Sequence, residues 1–216
     1  MKRSLSVAPK LTLIVLAVAT ALMLLVPAAY AIPVTFVANL TGANEVPPVP
    51  SPGTGFAAVV LDPTAQTLQV NATFSGLTSN TNAAHIHCCA PLGTNAGVAT
   101  TVPAFPGFPL GVTSGTFSSA VFDLTQATIY NPAFVTLQGG TIPLAEAALI
   151  AGIQNGTTYL NIHTVNFPGG EIRGQLEAVP EPTTLLLLGT AALAARRAQT
   201  TMAGLGLARW KRRRQN

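Results

Sequence analysis

The chain has 216 residues, of which 49% are hydrophobic and only 8% are charged. Ten of its eleven lysines and arginines lie near the two ends, so residues 32–180 hold six acidic side chains and one basic one, Arg173. This net charge of −5 excludes a basic nucleic-acid-binding surface, which needs clustered Lys and Arg. A central part of about 149 residues also excludes a multi-domain enzyme, because one hydrophobic core accounts for that length.

The first 31 residues have the organisation of a secretory signal peptide. A basic leader precedes an uncharged apolar run over residues 11–26, and Ala29 and Ala31 supply the small side chains of a cleavage site. The apolar run is short for crossing ~30 Å of hydrocarbon. We therefore expect signal peptidase to cleave after Ala31. The alternative is that the segment stays as a permanent N-terminal anchor.

Between this signal and the C-terminal end, the sequence predicts one all-β domain over residues 32–178. Residues 68–74 alternate apolar and polar side chains without interruption, which is the period of a half-buried strand. One helix is predicted over residues 144–153, because Thr141 and Pro143 are start signals and Asn155 with Gly156 is a stop signal. Many short strands with one short helix predict a Greek-key-like β-sandwich of two sheets. Further strands are predicted at residues 34–40, 56–61, 84–88, 115–122, 157–165 and 172–176.

The last two predicted strands form a hairpin closed by a five-residue loop, residues 166–170. This loop length places His163 opposite Arg173. Alternation separates a core face from a polar face, each shared by both strands. The expected core face carries Leu160, Ile162, Ile172 and Leu176, and the expected polar face carries Tyr159, Asn161, His163, Glu171, Arg173 and Gln175.

The three histidines of the chain are the candidate metal ligands. His85 and His87 point to the same side of one predicted strand, because side chains two positions apart share a face. With His163 from another strand, they predict a copper or zinc site that keeps one open position. The alternative is that each imidazole makes ordinary hydrogen bonds on a polar sheet face.

The only two cysteines, Cys88 and Cys89, are adjacent in the sequence. Their Cα atoms are held ~3.8 Å apart, which is less than the usual separation in a disulfide. Three alternatives stay open for an exported protein: a vicinal disulfide, thiolate ligation of a metal beside His87, or pairing with another molecule.

Four motifs occur in order along the central domain: LTGANEVPP at residues 40–48, AHIHCCAP at 84–91, YLNIHT at 159–164 and GGEIRGQL at 169–176. Together they resemble the CHRD (chordin-type) domain over about 140 residues. The resemblance implies a β-rich extracellular module, found in bacterial secreted proteins and in a vertebrate growth-factor antagonist. It implies no established catalytic activity.

A second resemblance is to the copper half-site of Cu/Zn superoxide dismutases, which are also Greek-key sandwiches. It implies that His85, His87 and His163 ligate copper and that Arg173 faces incoming anions. The chain has no fourth histidine, so neither the bridging ligand nor the zinc site of those enzymes is present.

The C-terminal residues 179–216 carry a third signal. Pro180, Glu181 and Pro182 form a box that two prolines keep extended and accessible to a protease. A Leu-rich run and an Arg cluster follow the box, and this order resembles the PEP-CTERM sorting signal of diderm bacteria. The resemblance implies transient anchoring in the inner membrane and cleavage at the box by an exosortase-type transpeptidase.

Arg196 and Arg197 depart from that pattern, because they interrupt the apolar run after 12 residues, about 18 Å of helix. We expect a short transmembrane helix that ends at Arg196, whose side chain reaches the membrane surface. The alternative is a C-terminal anchor that is not processed.

Enzyme motifs are absent from the sequence: it has no Gly-x-Ser-x-Gly, phosphate-binding loop or His-Glu-x-x-His. The carboxylates Glu45, Asp62, Asp123 and Glu146 are scattered, and we expect solvated structural roles for them. The predicted function is therefore a non-enzymatic module at the cell surface, in the periplasm or in the extracellular matrix, which binds a surface glycan or a protein. The alternative is a copper- or zinc-binding domain.

Overall fold

The computed structural model describes residues 32–180. The predicted signal peptide with its cleavage position at Ala31 lies outside the described residues. So do Glu181, Pro182 and the predicted C-terminal transmembrane helix.

The described chain is mostly β-sheet, which confirms the all-β prediction. Ten strands pair in one sheet, and every pairing between two of these strands is antiparallel. The long strands form because apolar and polar side chains alternate along them. In Thr67–Ser75, every second residue from Leu68 to Phe74 is buried. The strands are β1 (Val34–Thr41), β2 (Thr54–Asp62), β3 (Thr67–Ser75), β4 (Thr81–Cys88), β5 (Gly97–Val98), β6 (Gly115–Ser118), β7 (Phe122–Asp123), β8 (Thr158–Thr164), β9 (Ile172–Gln175) and β10 (Glu177–Ala178).

The sheet curls around one hydrophobic core and has two halves. Its strand order is β5-β4-β8-β9-β1-β2-β3-β6, with β10 on β1 and β7 on β3. The halves β5-β4-β8-β9 and β1-β2-β3-β6 meet where Thr41 of β1 pairs with Arg173 of β9. The two layers predicted as a sandwich are therefore joined along one edge.

Both halves contribute apolar side chains to the core, and the predicted core face of the β8–β9 hairpin is confirmed. Leu160, Ile162, Ile172 and Leu176 are each at most 1% exposed. Burial of a side chain of this size stabilises the fold by about 1.5–3 kcal/mol. The other half contributes Leu40, Val59, Leu61, Leu68 and Val70.

Two α-helices lie between β7 and β8. The helix α1 (Pro132–Leu137) was not predicted, although Asn131 caps it by accepting a hydrogen bond from the backbone of Ala133. The helix α2 (Ile142–Gln154) is the predicted one and begins two residues earlier than expected. No helix within residues 32–180 is long and apolar enough to cross a membrane.

The strand predicted at residues 115–122 is divided into β6 and β7. Ser119 lies in the gap, where its hydroxyl accepts from the backbone N–H of Val70 and its own N–H donates to the Val70 carbonyl. These bonds hold the chain against β3 without continuing the ladder.

The hairpin register also differs from the prediction by two residues, because Arg173 lies opposite Asn161 and not His163. Pairing between β8 and β9 stops at Ile162 and Ile172, and β8 continues alone along β4 to Thr164. The connecting turn closes on itself, with backbone N–H groups of Thr164 and Gly170 both donating to the Phe167 carbonyl. The loop is therefore longer than five residues.

Candidate metal centre

The structure brings His85, His87 and His163 together on the outer face of β4 and β8. In the register of these strands, His85 lies opposite Asn161, His87 opposite Tyr159, and His163 opposite Ala83. Alternation turns Ile86 into the core, so the histidines on either side of it point away from the core.

The three rings are close enough to share one ion. The ring centroid of His85 is 5.4 Å from that of His87 and 4.7 Å from that of His163, and the His87–His163 separation is 5.7 Å. One nitrogen from each ring lies within 4.8 Å of the corresponding nitrogens of the other two. A ligated ion holds each imidazole nitrogen at about 2.0–2.1 Å, so nitrogens that share one ion lie no more than about 4.2 Å apart, slightly closer than the 4.8 Å limit of this cluster.

The sheet face that carries the three histidines is buried, whereas the sequence predicted it as a polar face. The three histidines are only 5%, 7% and 5% exposed. The segment that carries Ala96 and Asn95 covers them: the Ala96 carbonyl contacts His87, and the Asn95 amide donates to the Val46 carbonyl. Three connecting segments, around Val46, Asn95 and Pro168, thus close over the outer face of the sheet.

Backbone carbonyls fix two of the imidazoles. Nδ1 of His87 lies 2.9 Å from the Ala96 carbonyl oxygen, and Nδ1 of His163 lies 2.9 Å from that of Pro168. A carbonyl only accepts, so each Nδ1 carries the proton and each Nε2 keeps a free lone pair. This is the arrangement by which proteins orient ligating histidines.

One buried nitrogen of each ring has no hydrogen-bond partner: Nδ1 of His85, Nε2 of His87 and Nε2 of His163. An unsatisfied buried polar atom is costly and calls for an explanation such as a bound ion. Each of the three clustered rings therefore has one nitrogen without a protein partner that could ligate an ion.

The protein also keeps these rings neutral. Burial, with smaller contributions from His163 and His87, lowers the pKa of His85 to about 3. Burial is again the largest cause that lowers the pKa of His87 to about 4, and the charges of His163 and Arg173 contribute. Burial lowers the pKa of His163 as well. Neutral imidazole is the form that ligates metals.

Arg173 does not lie in an open anion path as expected. It is 4% exposed, its Nε donates to the Asn44 carbonyl at 2.6 Å, and one terminal nitrogen donates to Asn95 Oδ1 at 2.7 Å. Its guanidinium carbon lies 4.4 Å from the centroid of the Tyr159 ring, which stacks on His87 at 4.7 Å. The guanidinium is therefore held by the protein, one ring away from the histidines.

Glu45 completes this surrounding and was not identified as part of the site from sequence. It is 5% exposed, and its Oε2 lies 3.8 Å from Nε of Arg173, while Oε1 has no partner. Burial raises the pKa of Glu45 to about 7, although Arg173 and Asn161 lower it. Its position in the first motif was the only available signal, because a turn residue has no periodicity that reports burial.

Glu146 also departs from the expected solvated role, since it is 6% exposed and accepts a hydrogen bond from Gln66. Glu171 leaves the predicted polar face. Its carboxylate accepts hydrogen bonds from the Ser51 hydroxyl, the Thr78 backbone and the Thr164 hydroxyl. It ties the end of the hairpin to two neighbouring loops.

Cys88 and Cys89 form a disulfide with each other, the first of the three alternatives. Cys88 continues the inward alternation of Ile86 and is 2% exposed, so its sulfur lies on the opposite side of β4 from the histidines. Both sulfurs contact the Ala148 carbonyl of α2. The cysteines therefore join β4 to α2 and are not placed to ligate beside His87.

Comparison with known proteins identifies two matches. The family model of the CHRD domain matches residues 36–176, and that of the PEP-CTERM protein-sorting motif matches residues 178–198. No curated protein and no solved structure matches the chain. The sorting motif implies export, processing by an exosortase-type system, and a cell-surface or extracellular location. The CHRD match spans the described core and all three histidines, and the chain belongs to the CHRD domain family.

Proposed function

We propose that this chain is a non-enzymatic surface module that binds one copper or zinc ion through His85, His87 and His163. The observation that carries the proposal is the convergence of three buried imidazoles, with one nitrogen of each ring within 4.8 Å of a nitrogen of each other ring. Each ring also has one buried nitrogen without a hydrogen-bond partner. Metal ligation satisfies all three at once, whereas hydrogen bonding among three neutral rings leaves lone pairs facing each other.

The surroundings support a resident ion rather than a reaction centre. The ligands are at most 7% exposed, and the nearby buried acid, Glu45, is paired with Arg173 at 3.8 Å and lies outside the histidine cluster. Binding by such a site stabilises the folded state, because the unfolded chain does not preform it. Recognition of a surface glycan or a protein outside the inner membrane stays a prediction.

Equilibrium dialysis of the full-length chain against Zn²⁺ or Cu²⁺, followed by elemental analysis, tests the proposal. We expect about one ion per chain, with affinity reduced to a similar extent by His85→Ala and His163→Ala. Asn71→Ala, a substitution on the sheet half without histidines, is the matched control and should bind like the wild type.

The double variant Cys88→Ser, Cys89→Ser separates the two candidate ligand sets. It should keep full stoichiometry, because the sulfurs lie across β4 from the imidazoles. Loss of binding in this variant, or retention in His163→Ala, would refute the three-histidine site.

A further inference from the structure

The site presents three donors, and none of them is charged. Among the His, Cys, Asp and Glu side chains of residues 32–180, the cluster contains only the three histidines. The nearby carboxylate of Glu45 lies against Arg173 and Asn161 and is outside that cluster. A bound ion therefore keeps its full charge in a buried setting.

We propose that the three-histidine centre selects monovalent copper, Cu(I), over Zn²⁺ and Cu²⁺. This inference rests on the proposed function and names the ion of the same site. The cost of moving an ion from water into a protein interior rises with the square of its charge in the Born description. With neutral ligands, a divalent ion meets about four times the desolvation cost of a monovalent one.

The number of donors favours the same ion. Zn²⁺ bound by three histidines takes a water as its fourth ligand, and Cu²⁺ prefers square-planar or tetragonal surroundings. Here three imidazoles converge. The backbone carbonyls of Ala96 and Pro168 accept hydrogen bonds from the Nδ1 atoms of His87 and His163. Cu(I), a closed-shell ion, is satisfied by three nitrogen donors and needs no water in a fourth position.

The positive charge of Arg173, partly offset by Glu45 at 3.8 Å, adds to the discrimination between the ions. The Arg173 guanidinium stacks over Tyr159, whose other neighbour is the ring of His87. The guanidinium repels a bound cation in proportion to the charge of that cation, and burial weakens solvent screening of the repulsion. This repulsion penalises a divalent ion twice as strongly as Cu(I).

The test compares Cu(I) with Zn²⁺, because both are closed-shell ions that differ in charge. Dissociation constants for the full-length chain are measured by competition with chromophoric chelators, with Cu(I) kept reduced by ascorbate under nitrogen. We expect the constant for Cu(I) to be lower by at least about 100-fold. A smaller ratio, with binding that still depends on His163, overturns the selectivity and leaves the proposed function standing. Absence of binding by either ion overturns both.

Arg173→Gln and Arg173→Lys form a matched pair that isolates the guanidinium charge. The Gln variant should gain affinity for Zn²⁺ by about the square of its gain for Cu(I), so the Cu(I)-to-Zn²⁺ preference narrows. The Lys variant retains the charge and should retain the preference. Near-ultraviolet circular dichroism establishes that each variant is folded, and equal gains for both ions in a folded Gln variant would contradict the role of Arg173.

Discussion

His85 and His163 lie with their ring centroids 4.7 Å apart and the edge of one ring toward the other, on neighbouring strands. The register pairs His85 with Asn161 and Ala83 with His163, so the two histidines are diagonal neighbours on one sheet face. A shift of one residue between β4 and β8 would turn one partner to the other face and separate them. The metal centre therefore depends on strand register as much as on the identity of its ligands.

Stability of the metal-free protein should fall as the pH is lowered from about 6.5 toward 4. The folded state holds His85 and His87 with pKa values of about 3 and about 4, whereas the unfolded chain protonates them near 6.5. The unfolded state then binds more protons, so the free energy of unfolding drops by up to ~1.4 kcal/mol per pH unit for each ring. Urea denaturation of chelator-treated protein across this range measures the slope, and a flat profile would contradict neutral, buried imidazoles.

Glu45 should oppose that slope. The pKa of Glu45 is about 7 in the folded protein and 4.5 in the unfolded chain. Between pH 4.5 and 7, the folded protein therefore keeps a proton that the unfolded chain has released. This contribution makes stability fall as pH rises, and Glu45→Gln should remove it and steepen the rise between pH 5 and 7. Glu177→Gln, at an exposed position, is the control, and identical profiles for the two variants would argue against a buried proton on Glu45.

Gly170→Ala should destabilise the fold by at least about 2 kcal/mol. Gly170 has φ of +126°, which L-residues rarely adopt, and an added Cβ would lie 2.6 Å from Glu45 Oε1 and 2.7 Å from Asn161 Oδ1. Gly169→Ala is the matched control, because its Cβ would meet nothing within 4 Å, and it should stay within ~0.5 kcal/mol. Thermal unfolding of both variants measures the two losses of stability. Equal losses would mean that the close packing of Gly170 against Asn161 does not contribute to stability.

Leu176→Ala should cost about 2–5 kcal/mol in the free energy of unfolding, because the side chain is fully buried in the core. Gln175 next to it faces the other way and donates one hydrogen bond to the Gly156 carbonyl at 2.6 Å. Gln175→Ala should therefore cost only about 1 kcal/mol. Denaturant midpoints compare the two, and a larger effect at Gln175 would reverse the assignment of the faces.

Processing in the native host should produce a chain that begins at Ile32 and lacks the residues beyond the Pro-Glu-Pro box. The sorting motif at residues 178–198 is the basis for the second cut. Replacement of Pro180, Glu181 and Pro182 by Ala should leave the tail attached, whereas Ala at Thr183 and Thr184 should not. Intact-mass analysis reads the outcome, and a wild-type exported species that retains Trp210 would contradict removal of the tail.

Sequence patterns were sufficient for those features that depend on local geometry. The alternation of residues 68–74 predicts β3, and the same period places Leu160 and Ile162 in the core. The caps around α2 predict its position to within two residues. Side chains two apart on a strand share a face whatever the rest of the chain does, so the common direction of His85 and His87 also followed from sequence.

The tertiary structure alone decided what surrounds the histidines. Periodicity shows that a face is polar, but whether water or protein covers it depends on loops such as those of Glu45 and Asn95, which have no periodicity. Register is similarly non-local: β8 pairs with β4 as far as Thr164, beyond its last β9 partner at Ile162, and Arg173 lies opposite Asn161 rather than His163. Burial and charge at the site come from segments distant in sequence, so its electrostatics emerged only once those segments were packed together.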